Sequence, residues 1–195
     1  MRGPDAAGAS FGPGYGLGHR RLAIIDLSEA GSQPMRNEDG SIELVLNGEI
    51  YNFRALQAEL MEAGHRFRSK TDTEVLVHGF EEWGLEQLLR KIRGMFAFAL
   101  IDRTNREIQL ARDPLGKKPL FFQWAEGELL FASSARALNI AAGRQFSVDP
   151  RAIADVLSNL YIPGPRTIFE NVEKLLPGHA MSIDRHGGRQ DLRYW

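Results

Sequence analysis

The hydrophobic pattern of the chain changes its period about halfway along, and each half predicts a different kind of secondary structure. In the first half, residues 54–64 and 73–82 carry apolar side chains every three to four positions, which is typical of amphipathic helices, and 85–92 continues as a third helical piece. In the second half, short apolar runs separated by turn residues predict strands joined as hairpins: 95–102, 107–112, 119–124 and 129–133. The pattern therefore indicates antiparallel strands covered by helices, which is an α+β fold.

Shorter predicted elements fill the remainder of the chain. Residues 1–18 are rich in Gly and Pro and indicate a loop, and the tip of a hairpin is expected at 37–40. The other predicted elements are strands at 22–26, 42–46, 180–184 and 192–194 and helices at 134–141 and 150–159. We expect one domain over residues 1–160, and an ordered extension of it over 161–195.

Composition excludes several classes of function. The net charge is −1, so no basic surface for nucleic acid is expected. The longest apolar run, residues 95–101, is too short to cross a membrane, and no signal peptide is visible. We therefore expect a cytoplasmic protein that binds neither nucleic acid nor membranes.

The chain contains no cysteine, so these residues offer no disulfide, no thiolate metal ligand and no thiol nucleophile. The five histidines are scattered along the sequence without the spacing of metal ligands, and no metal site is predicted from them.

The most informative stretch is Asn47-Gly48-Glu49, which follows the predicted strand 42–46 and precedes the helix 54–64. We predict that the strand ends here and that the chain turns. Gly48 permits a positive φ or a close approach to a ligand. The Asn47 carboxamide and the Gly48 N–H could form a pair of donors, as an oxyanion hole requires. The alternative is a simple Asn-Gly turn with a polar tip.

The sequence from Asn47 to Asn52 resembles the glutamine-binding turn of class II glutamine amidotransferases, in particular the glutaminase domain of asparagine synthetases. Further motifs resemble this family and follow in its order along nearly the whole chain. They lie at residues 2–5, 19–26, 33–35, 71–75, 94–98, 111–116, 131–134, 165–169 and 176–179.

The resemblance implies the αββα sandwich of N-terminal nucleophile hydrolases, with two stacked, mainly antiparallel sheets flanked by helices. It also implies that the substrate is glutamine. Arg21 would then bind the α-carboxylate, Glu49 and Asp72 the α-ammonium, and Asn47 and Gly48 the oxyanion. Without the resemblance, Arg21 would more often be a solvated surface charge and Asp72 a helix cap, since either Asp72 or Thr71 could be the N-cap of the helix 73–82.

The family begins with a nucleophilic N-terminal cysteine on a strand upstream of the motif at residues 2–5, and this chain has none. A smaller departure is Ser134, where the family usually has an acidic residue. The resemblance places ATP and Mg²⁺ in a C-terminal synthetase domain, so no cofactor is expected in these residues. That domain is an expected partner, besides glutamine, and a homodimer is compatible with the resemblance. We expect the 195 residues alone to be inactive.

Two interpretations remain open. The chain could be the glutaminase part of an enzyme that makes asparagine from aspartate, or of a similar amidotransferase with another acceptor. It could also be a non-catalytic module that binds glutamine or docks on a synthetase. Glucosamine-phosphate and purine-pathway amidotransferases rank lower, because they usually carry His where this chain has Leu46.

Overall fold

The computed structural model describes residues 3–23, 25–125 and 127–195. Its strands, in chain order, are β1 (Ala6–Gly12), β2 (Tyr15–Arg21), β3 (Met35–Arg36), β4 (Ile42–Ile50), β5 (Gly94–Asp102), β6 (Glu107–Arg112), β7 (Phe121–Ala125), β8 (Glu128–Ala132), β9 (Glu173–Lys174), β10 (His179–Ile183) and β11 (Arg189–Arg193). Its α-helices are α1 (Phe53–Glu62), α2 (Glu74–Lys91), α3 (Ala135–Ala141) and α4 (Pro150–Asn159).

A six-stranded sheet forms the centre, in the order β11-β10-β6-β5-β4-β3, and all its neighbouring strands are antiparallel. Helices α1 and α2 cover one face of this sheet. Leu56 and Leu60 of α1 and Leu76 of α2 pack there against Phe96 and Phe98 of β5. Helix α2 consists of two pieces joined at Gly84, where φ is +71°, so the two helical stretches predicted at 73–82 and 85–92 are confirmed.

A three-stranded antiparallel sheet, in the order β8-β7-β9, packs against the other face of the central sheet. Ala97 and Ala99 of β5 meet Leu120 and Phe122 in this second apolar layer. Helix α3 contacts β7 and β8. The layers are therefore helix, sheet, sheet and helix, as predicted. The segment beyond residue 160 contributes to both sheets, because β9 pairs with β7 and β10 lies between β6 and β11.

The N-terminal part of the chain differs from the prediction. Residues 6–21, mostly predicted as loop, form the hairpin of β1 and β2 with a turn at Pro13-Gly14. The strand predicted at 22–26 is wrong, because β2 ends at Arg21, which pairs with Ala6, the first residue of β1. Residue 24 lies outside the described part of the chain, as do residues 1 and 2, of which residue 2 belongs to the 2–5 motif.

Among the described residues, no helix has both the length and the apolar character needed to span a membrane.

Candidate functional site

The five residues predicted to bind glutamine line one cleft of about 1060 Å³. The cleft lies between the end of β2, the second half of β4 and the residues that lead into α2, and its far wall includes Phe131 and Ser134. The structure thus brings together positions up to 51 residues apart in the sequence: Arg21, Asn47, Gly48, Glu49 and Asp72.

The Asn47-Gly48-Glu49 stretch belongs to a strand and not to a turn. β4 continues to Ile50, and Gly48 pairs with Phe96 of β5. A Cβ atom at Gly48 would lie 2.2 Å from the main-chain oxygen of Met95, so glycine is required by the close approach of β5. The predicted turn is therefore wrong, and so is the alternative of a simple Asn-Gly turn.

The outer edge of β4 presents a row of backbone N–H groups to the cleft. The N–H of Leu46 donates to Gln33 Oε1 at 2.6 Å, and that of Ile50 donates to Asp72 Oδ2 at 2.7 Å. Alternate residues of a strand point their N–H groups to the same edge, so the Gly48 N–H lies between these two and also faces outward. β3 pairs only with Glu43 and Leu44, and no described strand covers this edge at Gly48.

Asn47 places a second donor beside the Gly48 N–H. Its side chain points to the opposite face of β4 from Leu46 and Gly48, and it is partly exposed. Among the described residues its carboxamide has no hydrogen-bond partner. A carbonyl oxygen in the cleft could therefore accept from both groups, which would stabilise the negative charge that develops when the carbonyl carbon becomes tetrahedral.

Asp72 is a buried carboxylate, with 5% of its surface exposed. Its Oδ2 accepts from the Ile50 N–H, and its Oδ1 accepts from the Thr71 hydroxyl at 3.1 Å. Burial raises the pKa of Asp72 above its ordinary value, against these hydrogen bonds. The predicted N-cap role is wrong, because α2 begins at Glu74 and the Asp72 carboxylate reaches β4 instead. A cationic group in the cleft would relieve the cost of the buried charge.

Arg21 is buried rather than solvated at the surface, with 9% of its surface exposed. Its Nη1 donates to the Ser28 carbonyl at 2.8 Å, and its Nη2 donates to the Asp26 carbonyl. Arg21 therefore holds the 26–31 turn in place, and its other three N–H donors have no partner among the described residues, so they could bind a ligand. The Asp26 carboxylate accepts from the Ser28 hydroxyl and the backbone N–H groups of Lys70 and Ser28, which lowers its pKa to about 2.

Gln33 is a site residue that the sequence interpretation did not identify. It lies in the 33–35 motif, but no chemistry was assigned to it there. Its Oε1 accepts from the Leu46 N–H, and its Nε2 donates to Thr73 Oγ1 at 3.2 Å. His19 contacts the Leu46 carbonyl at 3.2 Å from the same side. Together they fix the edge of β4 next to Gly48 and connect it to the start of α2.

The buried Asp72 carboxylate should make stability depend on pH in a specific direction. The pKa of Asp72 is higher in the folded state than its ordinary value of 3.8. Its contribution to the free energy of unfolding is therefore fully present below about pH 3.8 and is lost as the pH rises through the folded-state pKa. Asp72→Asn keeps an oxygen that can accept from the Ile50 N–H but removes the charge. Thermal melts between pH 3 and pH 8 should show the variant at least as stable as the wild type at pH 7. A loss above about 1 kcal/mol at pH 7 would contradict the buried, costly charge.

Comparison with solved structures defines the class of fold. Over 92% of its length, this chain superimposes on a glutamine phosphoribosylpyrophosphate amidotransferase from Bacillus subtilis, with a TM-score of 0.65 and 22% sequence identity. It superimposes similarly on an allosteric regulatory enzyme of purine biosynthesis, with a TM-score of 0.64. The fold is therefore the sandwich of two sheets between helices that these two structures have, and the predicted fold class is confirmed.

Comparison of sequences identifies the family. All residues, 1–195, match the glutamine amidotransferase domain, and the chain belongs to this family. It is 37% identical to asparagine synthetase [glutamine-hydrolyzing] 1 of Bacillus subtilis over 95% of its own length and 29% of that protein. It is 32% identical to the amidase chry2 of Gibberella zeae over its full length and 28% of that protein. The chain spans about a quarter to a third of the length of the curated relatives it matches.

Proposed function

We propose that this chain binds L-glutamine in the cleft and forms part of a glutaminase, which supplies ammonia for an ATP-dependent amidation of aspartate to asparagine. The observation that carries the proposal is the edge of β4. The N–H groups of Leu46 and Ile50 are bound by side chains, whereas the Gly48 N–H between them opens into the cleft beside the Asn47 carboxamide. The side-chain carbonyl oxygen of glutamine is a group that could accept hydrogen bonds from both of these donors.

The α-substituents of glutamine have complementary partners in the same cleft. The Asp72 and Glu49 carboxylates are suited to the α-ammonium, and the free donors of Arg21 are suited to the α-carboxylate. The attack on the amide needs a nucleophile, and the sequence contains no cysteine. We therefore expect these 195 residues alone to bind glutamine without hydrolysing it.

Calorimetric titration tests the proposal, with two ligands that separate its parts. D-glutamine exchanges the places of the ammonium and the carboxylate, and glutaramate lacks the ammonium altogether. L-glutamine should bind at least about tenfold more tightly than either, because a hydrogen bond to a charged group is worth about 1.5–3 kcal/mol. Equal affinity for all three ligands, or no binding of L-glutamine, would contradict the proposal.

Fewer observations bear on the acceptor of the ammonia than on the binding of glutamine. Relatives of this chain include proteins named as asparagine synthetases and others named as amidases. We favour aspartate because several of the relatives that the chain matches are named asparagine synthetases. The second candidate is a similar amidotransferase that acts on another carboxylate.

Helix α4 supports the proposal that a synthetase-type domain docks on this chain. Its residues Ile153, Val156 and Leu157 recur with helical spacing on one face, and Leu160 follows the end of the helix. All four are exposed, Leu157 by 79% and Leu160 by 89%. Such a face on a globular domain is typical of an interaction surface. Leu157→Asp should abolish co-purification with a separately expressed synthetase domain of a relative and leave glutamine binding unchanged. Unchanged co-purification would remove α4 from the proposed interface.

A further inference from the structure

Two histidines that are 13 positions apart in the sequence come together beside α2, outside the glutamine cleft. His65 follows α1, and His78 lies on α2, and their ring centroids are 5.0 Å apart. Glu38, in the turn between β3 and β4, joins them. One ligand atom from each of these three residues lies within 4.8 Å of the others. The sequence indicated no such site, because the three residues come from separate elements.

His78 is the unusual member of this cluster. Its side chain is 2% exposed, and neither ring nitrogen has a hydrogen-bond partner among the described residues. A buried imidazole without partners is costly, and such groups in a native structure call for an explanation. Its Nδ1 faces Glu38 Oε2 at 3.6 Å and Glu81 Oε2 at 3.9 Å. A cation between these atoms would provide the missing partner.

The distances between the donor atoms fit the coordination shell of a transition metal. Zinc bonds to nitrogen and oxygen ligands are about 2.0–2.1 Å long, so ligand atoms at the corners of a tetrahedron are about 3.3–3.4 Å apart. Glu81 Oε2 lies 3.8 Å from His65 Nδ1 and 3.9 Å from His78 Nδ1. Glu38 Oε2 lies 3.6 Å from His78 Nδ1. The Glu38 and Glu81 side chains are each 38% exposed, so both carboxylates have room to turn toward the two rings and complete this shell.

A carboxylate outside the proposed shell lies near the Nε2 atom of each ring, as is usual for metal-bound histidine, although only that of Glu82 is within hydrogen-bond distance and geometry. His65 Nε2 lies 3.1 Å from Glu82 Oε2, and His78 Nε2 lies 3.5 Å from Glu74 Oε1. A proton on each Nε2 would face a carboxylate, which leaves each Nδ1 as the neutral ligand that points to the shared position.

We propose that this cluster is a divalent transition-metal site, with His65 Nδ1, His78 Nδ1, Glu38 and Glu81 as ligands and zinc as the matching metal. The ligands come from the β3–β4 turn, the loop between α1 and α2, and the first half of α2. The metal clamps these three segments together. The site stands apart from the glutamine cleft, and the two share no residue.

Zinc binding and its effect on melting test this proposal with the purified, metal-free chain. We expect one Zn²⁺ per chain by calorimetry and a higher melting temperature with added Zn²⁺, because a ligand that binds only the folded state stabilises it. Co²⁺ in its place should give the visible absorption of a tetrahedral site. Glu38→Gln and His65→Ala, two substitutions at the rim, should each weaken Zn²⁺ binding at least about tenfold.

The control is His186→Ala, which removes an exposed histidine outside the cluster and should leave Zn²⁺ affinity unchanged. His78→Ala should abolish Zn²⁺ binding. If this buried substitution prevents folding, the Zn²⁺ affinities of Glu38→Gln and His65→Ala test the proposal instead. Absence of stoichiometric binding, or equal affinity in the wild type and His65→Ala, would overturn the proposal. In that case the cluster is a set of histidine–carboxylate contacts that holds no metal.

Discussion

Replacing Arg21 by alanine should weaken glutamine binding by about ten- to hundredfold. The guanidinium can make two parallel charge-assisted bonds to a carboxylate, and a hydrogen bond to a charged group is worth about 1.5–3 kcal/mol. Each 1.4 kcal/mol corresponds to about a factor of ten in affinity. Arg21→Lys should recover only part of the loss, because an ammonium group cannot form the forked pair. Calorimetric titration with L-glutamine measures all three affinities.

This prediction needs a control, because Arg21 also holds the 26–31 turn through the carbonyls of Asp26 and Ser28. Asp26→Ala removes the carboxylate that binds Ser28 and Lys70 and loosens the same turn, but it leaves the guanidinium in place. It should therefore weaken glutamine binding much less than Arg21→Ala. If the two variants lose equal affinity, the turn and not the guanidinium explains the effect.

Gly48→Ala should be the most destabilising single substitution at the site, with a cost of about 3 kcal/mol or more. The added methyl group would lie 2.2 Å from the Met95 oxygen and 2.7 Å from the Phe96 Cα, both main-chain atoms of β5. Relief requires separation of two strands at the centre of the sheet. Chemical denaturation measures the loss, which is a large fraction of the 5–15 kcal/mol typical of a domain.

Gly18→Ala is the matched control for this substitution. Gly18 lies in β2 on the wall of the same cleft, but an added Cβ there would meet no atom within 4 Å. Its cost should remain within about 0.5 kcal/mol. A similar cost for Gly18→Ala and Gly48→Ala would show that the close approach of β5 is not what requires glycine at position 48.

Elements with strong local patterns could be predicted from the sequence. Helix α4 matches the predicted 150–159, and Asp149 accepts from the Arg151 N–H as an N-cap with Pro150 at the first position. Strand β6 likewise matches 107–112. In these segments, periodicity, caps and turn residues all favour the same structure, so no distant contact is needed to decide it.

Elements that depend on distant partners were predicted less well. Asn47-Gly48-Glu49 has the composition of a turn, but its strand conformation is set by pairing with β5, about 50 positions later. The hairpin of β1 and β2 is rich in glycine and carries a weak strand pattern. The resemblance to a family identified five residues of the cleft, whereas Gln33, which fixes the β4 edge, could be found only from the structure.

The central claim is that the cleft recognises the α-groups of glutamine through Arg21 and Asp72 and reserves Asn47 for charge that develops during reaction. Titration of L-glutamine into the wild-type chain, Arg21→Ala, Asp72→Asn and Asn47→Ala tests it most directly. Asn47→Ala should lose little affinity, because ground-state glutamine carries no oxyanion, while the other two variants should each lose about tenfold or more. A larger loss for Asn47→Ala than for Arg21→Ala would contradict this assignment of roles.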